Sequence, residues 1–246
     1  MLFLAIALAL VVGATLGFFG GGGAVLAVPI FVYVLGVPAK SALAMSFLVI
    51  GAASSIGSVD RWRNGKLDPR RGVWLGLPAV AGAFAGASIG AFLPDALQLT
   101  LFGCAVVFAA TSLLRNSPNV EPSPTRRSQM TGALVFACIG MFTGIVGVGG
   151  GFLFVPALVS IIGVPVIEAM SLSLMVVAMN ATAAFAVYLG KVPIDWRLAS
   201  LFTATVVAGM LPAGRIAHRV PAPILKRSFA IVLLIVGAFV LIDNIR

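Results

Sequence analysis

Charged residues along this chain punctuate long apolar stretches. No acidic, basic or histidine side chain occurs from Met1 to Ala39, Ser41 to Val59, Gly72 to Pro94, Ala96 to Leu114 or Ser128 to Ile167. Apolar runs of about 20 residues are long enough, as helices, to cross a bilayer. Divided at its charges, prolines and glycine clusters, the chain predicts ten hydrophobic segments, at 2–20, 24–37, 41–59, 72–93, 96–114, 129–147, 151–164, 169–188, 198–214 and 224–242. The second and seventh stand apart. At about 14 residues and 1.5 Å rise they reach about 20 Å, short of about 30 Å of hydrocarbon.

Each short segment follows a glycine cluster and contains a proline: GFFGGGGAVLAVP at 17–29 and GIVGVGGGFLFVP at 144–156. The two lie 127 positions apart, and the same shift pairs Ser46 with Ser173, Asp68 with Asp195, Gly82 with Gly209 and Phe102 with Phe229. The chain is therefore an internal duplication: a first transmembrane repeat at 1–115, a polar, Pro- and Ser-rich linker at 116–127, and a second repeat at 128–246.

Five segments per repeat is an odd number, so the copies should be inverted. Equivalent loops would then face opposite sides of the membrane and differ in Lys and Arg content. RWRNGKLDPRR carries Arg61, Arg63, Lys66, Arg70 and Arg71, and its counterpart GKVPIDWR only Lys191 and Arg197. The bias reverses at the next pair, where the turn around Pro94 has no basic residue and RIAHRVPAPILKR has Arg215, Arg219, Lys226 and Arg227. The excess places the linker in the cytoplasm and both termini outside. An eight-span arrangement, with each glycine-split pair as one broken span, gives a weaker asymmetry and leaves the exchange between loops unexplained.

Composition agrees with membrane residence. Of 246 residues 61% are hydrophobic and 9% charged, with mean hydropathy +1.15, whereas soluble domains carry about 25% charge. Residues 1–16 have no basic leader and the apolar stretch continues past them, so no cleaved signal peptide is expected. A net charge of +9 fits orientation in a membrane better than nucleic-acid binding, since no soluble face interleaves aromatic and basic residues. Cys104 and Cys138 lie in apolar runs, and His218 lies among arginines at a segment end. No metal site, cofactor or enzymatic nucleophile–base pair is expected from these.

Glycine disfavours helix by about 1 kcal/mol per residue, so the clusters call for a function. Non-helical backbone at membrane depth is tolerated where it lines a cavity or is buried in protein. Short, glycine-broken segments at matching places in two repeats are the sequence pointer to a transporter site. A helix that starts just past them offers unpaired N–H groups and a positive dipole end to an anion, with Pro29 and Pro156 expected near the first helical positions. The candidate site is Gly20, Gly21, Gly22, Gly23, Gly147, Gly149, Gly150 and Gly151, joined by Ser46 and Ser173, each placed to face the break of its own copy. Asn180 and Thr182 fall mid-segment opposite Ala53 and Ser55, with Ser54 and Ser58 on the facing wall. Close helix packing is the competing role for the glycines, and the natural one for Gly82, Gly86 and Gly90. No carboxylate or histidine falls at mid-depth to carry a proton.

In these features the chain resembles the TauE/SafE, or sulfite exporter, family of membrane transporters. The duplicated G-x-G-G-G motif with its proline, the following serine, the aspartate of IDWR and the turn RIAHRVP carry the resemblance. It departs in having Met45 and Leu172 where family members often carry a threonine before the serine. The resemblance implies transport of sulfite or a sulfur-containing organic anion across the cytoplasmic membrane. A carrier is then the leading expectation, an anion channel or a carrier of another small anion the alternative. Its partners would be a small anion and the lipid bilayer, without nucleic acid.

Overall fold

A computed structural model describes residues 2–114, 126–147, 149–217 and 220–245. The described residues form ten helices and no strand: α1 (Leu2–Phe19), α2 (Gly22–Val34), α3 (Ala39–Arg63), α4 (Pro69–Gly90), α5 (Asp95–Leu114), α6 (Arg126–Val146), α7 (Gly151–Ser160), α8 (Val166–Tyr188), α9 (Trp196–Ala217) and α10 (Ala222–Ile245). The expected linker lies outside them, apart from Arg126 and Arg127, which open α6.

Local chemistry sets the helix ends. Asp68 caps α4, its carboxylate accepting from Arg70 N (2.9 Å) and Arg71 N (3.4 Å), and its repeat equivalent Asp195 caps α9 by accepting from Arg197 N and Leu198 N (3.0 Å each). The duplicated aspartate is thus an N-cap, the position a short carboxylate favours. α3 outruns its apolar stretch. Charge does not stop a helix, and this one ends only at Asn64 and at Gly65, whose φ of +67° is left-handed. Asp60 and Arg61 are therefore helical.

The short segments start at the glycines rather than at the prolines. α7 begins at Gly151 behind Gly150, whose φ of +76° ends the preceding chain direction, and Pro156 lies inside the helix. α2 opens as a 3-10 turn (Gly22–Leu26), passes through Ala27–Pro29, and widens to a π-helix (Ile30–Val34) directly after Pro29. Proline lacks the N–H that a regular turn would use, and its ring crowds the carbonyl four residues back.

Packing is organised in pairs. The extensive contacts are α4 with α6, α1 with α9, α5 with α10, α3 with α8, and α4 with α8. Exchanging the repeats turns the first pair into the second and the α5–α10 and α3–α8 pairs into themselves, whereas α4–α8 maps onto the slighter α3–α9 contact. Small residues make the close approaches: Gly82, Gly86 and Gly90 of α4 lie against the backbone at Ala137, Met141 and Ile145 of α6, in parallel register. Gly13 and Gly17 of α1 meet Val206, Met210 and Gly214 of α9 in the same way, so these glycines permit backbone contact. α3 and α8 run antiparallel, with Gly51 beside Thr182 and Gly57 beside Leu174.

The outer surface is apolar. Phe92, Phe108, Leu134, Ile235 and Ile242 are exposed, as are Trp62 and Trp74 toward one end and Trp196 at the other, where amphipathic rings suit a membrane interface. Four helices, Ala39–Arg63, Pro69–Gly90, Ile167–Tyr188 and Trp196–Ala217, are long and apolar enough to cross a membrane.

Candidate functional site

The two glycine clusters meet. A Cβ on Gly151 would fall on the carbonyl of Gly21, and one on Gly21 would lie 2.7 Å from Val177 Cγ2, halfway along α8. Each cluster lies against the long helix of the other repeat. Gly20 abuts Met170 of α8 and Gly147 abuts Leu43 of α3, and these are equivalent contacts. Both glycines have left-handed φ, +58° and +86°, which a branched side chain would not adopt. Gly22 lies against the Phe229 ring, Gly23 against the backbone at Thr15 and Leu16, and Gly149 beside Ile50 and Val177. Close packing therefore explains much of the glycine requirement.

The polar candidates divide. Ser173 is fully buried and donates to Met170 O (3.1 Å), while its equivalent Ser46 is buried with no hydrogen-bond partner for its hydroxyl. Gly21, from the other repeat, lies beside the Ser173 carbonyl, so Ser173 is next to the break of the other copy where the two clusters meet. Thr182 donates to Ala178 O (2.7 Å). Asn180, fully buried, donates from Nδ2 to Thr143 Oγ1 (3.2 Å), and its Oδ1 has no partner. Thr143 in turn lies against Gly150, the N-cap of α7. Asn180, Thr143 and the start of α7 thus form one polar cluster beside the glycine junction. Thr143 was not among the sequence candidates, although its place just before the second cluster was a usable signal.

Arg61 was counted with its loop, but it lies in the interior. It donates from Nη1 to Ser171 Oγ (2.9 Å) and from Nη2 to Gly17 O (3.1 Å). Around it is a small, partly open cleft with about 30 Å³ of free space, lined by Gly57, Asp60, Asn64, Lys66, Gly214 and Arg215 among others. The signal was helical spacing, since Ser54, Ser58 and Arg61 share one face of α3 and all are buried. Toward the opposite end Lys40 ties four helix ends together. Its ammonium donates to Gly90 O (2.8 Å), Leu93 O (2.6 Å) and Gln98 Oε1 (2.6 Å), and Gln98 Nε2 donates to Ile145 O (2.7 Å).

Buried polar groups beside glycine-broken helices, under an apolar exterior, suit a membrane transporter, and the comparisons with known proteins agree. The model of the sulfite exporter TauE/SafE family matches residues 5–240. The chain belongs to this family.

A "Probable membrane transporter protein" of Xylella fastidiosa (strain 9a5c) is 31% identical to this chain, over 94% of this chain and 91% of its own length. "Probable membrane transporter protein YdhB" of Bacillus subtilis (strain 168) is 22% identical, over 93% of this chain and 96% of its own. No solved structure matches. The family match takes in both glycine clusters, Asn180 and Arg61, and identifies the chain as a multi-pass membrane transporter.

Proposed function

We propose that this protein is a secondary carrier of a small sulfur-containing anion, sulfite or an organosulfonate, across the cytoplasmic membrane, and that it holds the anion where the glycine breaks meet. The observation that carries this reading is the Asn180–Thr143–Gly150 cluster. A fully buried amide with an unpartnered oxygen is costly, and it stands where α7 offers its first N–H groups, ahead of the bond from Leu153 N to Gly150 O. An anion there would take donors from the α7 terminus, from the Asn180 amide turned the other way, and from the free Ser46 hydroxyl. The family description supplies the substrate class.

In this reading the repeats are inverted and both termini are outside. The parallel α4–α6 and α1–α9 pairs and the antiparallel α3–α8 pair support the inversion, and the distribution of Lys and Arg supports the outside termini. A channel would use the same amides in a continuous pore. The tight packing at Gly21 and Gly151 favours a carrier that opens one side at a time.

Uptake into proteoliposomes of labelled sulfite, with thiosulfate, sulfate and alkylsulfonates as competitors, tests the reading. Competition by sulfite or a sulfonate well ahead of sulfate is expected, and flux lost in Gly22→Val with Gly149→Val. Indifference of sulfite flux to that folded double variant removes the glycine junction from the site.

A further inference from the structure

Among the described residues Arg61 is the only charged side chain that is buried, with 6% of its surface exposed. Both of its hydrogen-bond acceptors, Ser171 Oγ and Gly17 O, are neutral, and no described carboxylate lies within ion-pair distance of it. A buried cation is expensive unless paired. A guanidinium has five N–H donors in a planar fork that matches oxyanions, and these two bonds use two of them.

The space beside it is small, about 30 Å³, and partly open, so an oxyanion would displace water there and seat at its mouth. Gly214 lines the cleft, and a Cβ there would come no closer than 3.7 Å to Gly17 O and 3.8 Å to Arg61 Nη2, so packing does not require this glycine, unlike Gly17. Lys66 and Arg215 also line the cleft and outweigh Asp60, which concentrates anions at its mouth.

We propose that the Arg61 cleft is a separate anion-binding site, taking a small tetrahedral or pyramidal oxyanion on the guanidinium at the Arg-rich end of the molecule. In the other repeat the corresponding space is filled. Tyr188, Val187, Ala184, Ala87 and Phe47 stand where the cleft has Arg61, Asp60, Gly57, Gly214 and Leu174, and they belong to one buried, largely apolar cluster without a charged group. The anion site is therefore one-sided. It rests on the transport reading only for what happens after binding, since the guanidinium would hold an oxyanion whether or not one is carried.

The test is calorimetric titration of the purified full-length protein in detergent and chloride-free buffer with sodium sulfite and, separately, sodium sulfate. The expected result is binding that weakens about ten- to a hundredfold in Arg61→Gln, the cost of a lost charged hydrogen-bond pair, and less in Arg61→Lys, which keeps the charge without the fork. Gly214→Ala, which has space for its methyl and should fold, is expected to weaken binding severalfold by occupying the room beside Nη2. Gly22→Val with Gly149→Val should retain this binding, which separates failure here from failure of the junction. If neither anion binds the parent protein, or if affinity is unchanged in folded Arg61→Gln, the proposal is overturned. Should Arg61→Gln not fold, unchanged affinity in Gly214→Ala overturns it instead.

Discussion

At one end of the molecule Arg61, Asp60, Gly57 and Gly214 border a cleft, while one repeat away Tyr188, Val187, Ala184 and Ala87 pack with Phe47 in a buried apolar cluster. The backbone frame is shared. Gly17 and Gly144 allow the same close helix contact in each half, and Asp68 and Asp195 cap equivalent helices. What differs is a few side chains at one helical level, Arg61, Asp60 and two glycines in one copy against Tyr188, Val187 and two alanines in the other. The straps differ too. Lys40 binds three acceptors beside Asp95 at the filled end, whereas the open end is crossed by an exposed Arg71–Glu168 pair. A duplicated scaffold can thus keep its symmetry in the backbone and lose it in the side chains that admit or exclude an anion.

The largest effect expected is all-or-none. In a background of Cys104→Ala and Cys138→Ala, Lys191→Cys should react with an impermeant thiol reagent added to intact cells and its repeat equivalent Asn64→Cys should not. Equal labelling of the two would abolish the inverted arrangement on which the comparison of ends depends. Next, Tyr188→Ala should open the filled end. Removing a fully buried aromatic ring costs about 3–5 kcal/mol, read as a fall in thermal stability in detergent, and a negligible change would mean that the cluster does not hold that end shut.

The paired serines sharpen the comparison at mid-depth. Ser46→Ala removes a hydroxyl without a partner and should leave stability unchanged while weakening anion affinity by about 1.5–3 kcal/mol. Ser173→Ala should shift both only slightly, because its hydroxyl already bonds Met170 O. Equal affinity losses would restore a symmetric site. The smallest effect concerns the straps. Arg71→Ala should cost about 0–1 kcal/mol, as exposed ion pairs do, and Lys40→Met about 2 kcal/mol, since the Gly90 and Leu93 carbonyls and Gln98 Oε1 lose a charged donor. The reverse order would show the open end to be the better fastened.

The frame was legible in the sequence because it follows from periodicity and chain length. Ten apolar segments became ten helices, and the spacing of Gly82, Gly86 and Gly90 foretold a close helix contact. The starts of the short helices were misjudged because Pro29 and Pro156 looked like first positions, whereas the left-handed φ of Gly150 sets the start of α7. Arg61 was hidden because α3 runs on past the residue where charge begins. Only the continuation of α3 to Arg63 carries it inward, and its contact with Ser171, 110 residues away, leaves no local trace. The partner of each glycine cluster was equally illegible, since pairing across the repeats is a property of the packed pair.

Counterflow tests the carrier reading most directly. Purified protein is reconstituted into liposomes preloaded with unlabelled sulfite, and labelled sulfite is added outside. The account predicts saturable uptake that transiently exceeds equilibrium and is faster than into empty liposomes, because a site that faces one side at a time returns more quickly when loaded. Flux proportional to concentration, with no acceleration by internal sulfite, would contradict it.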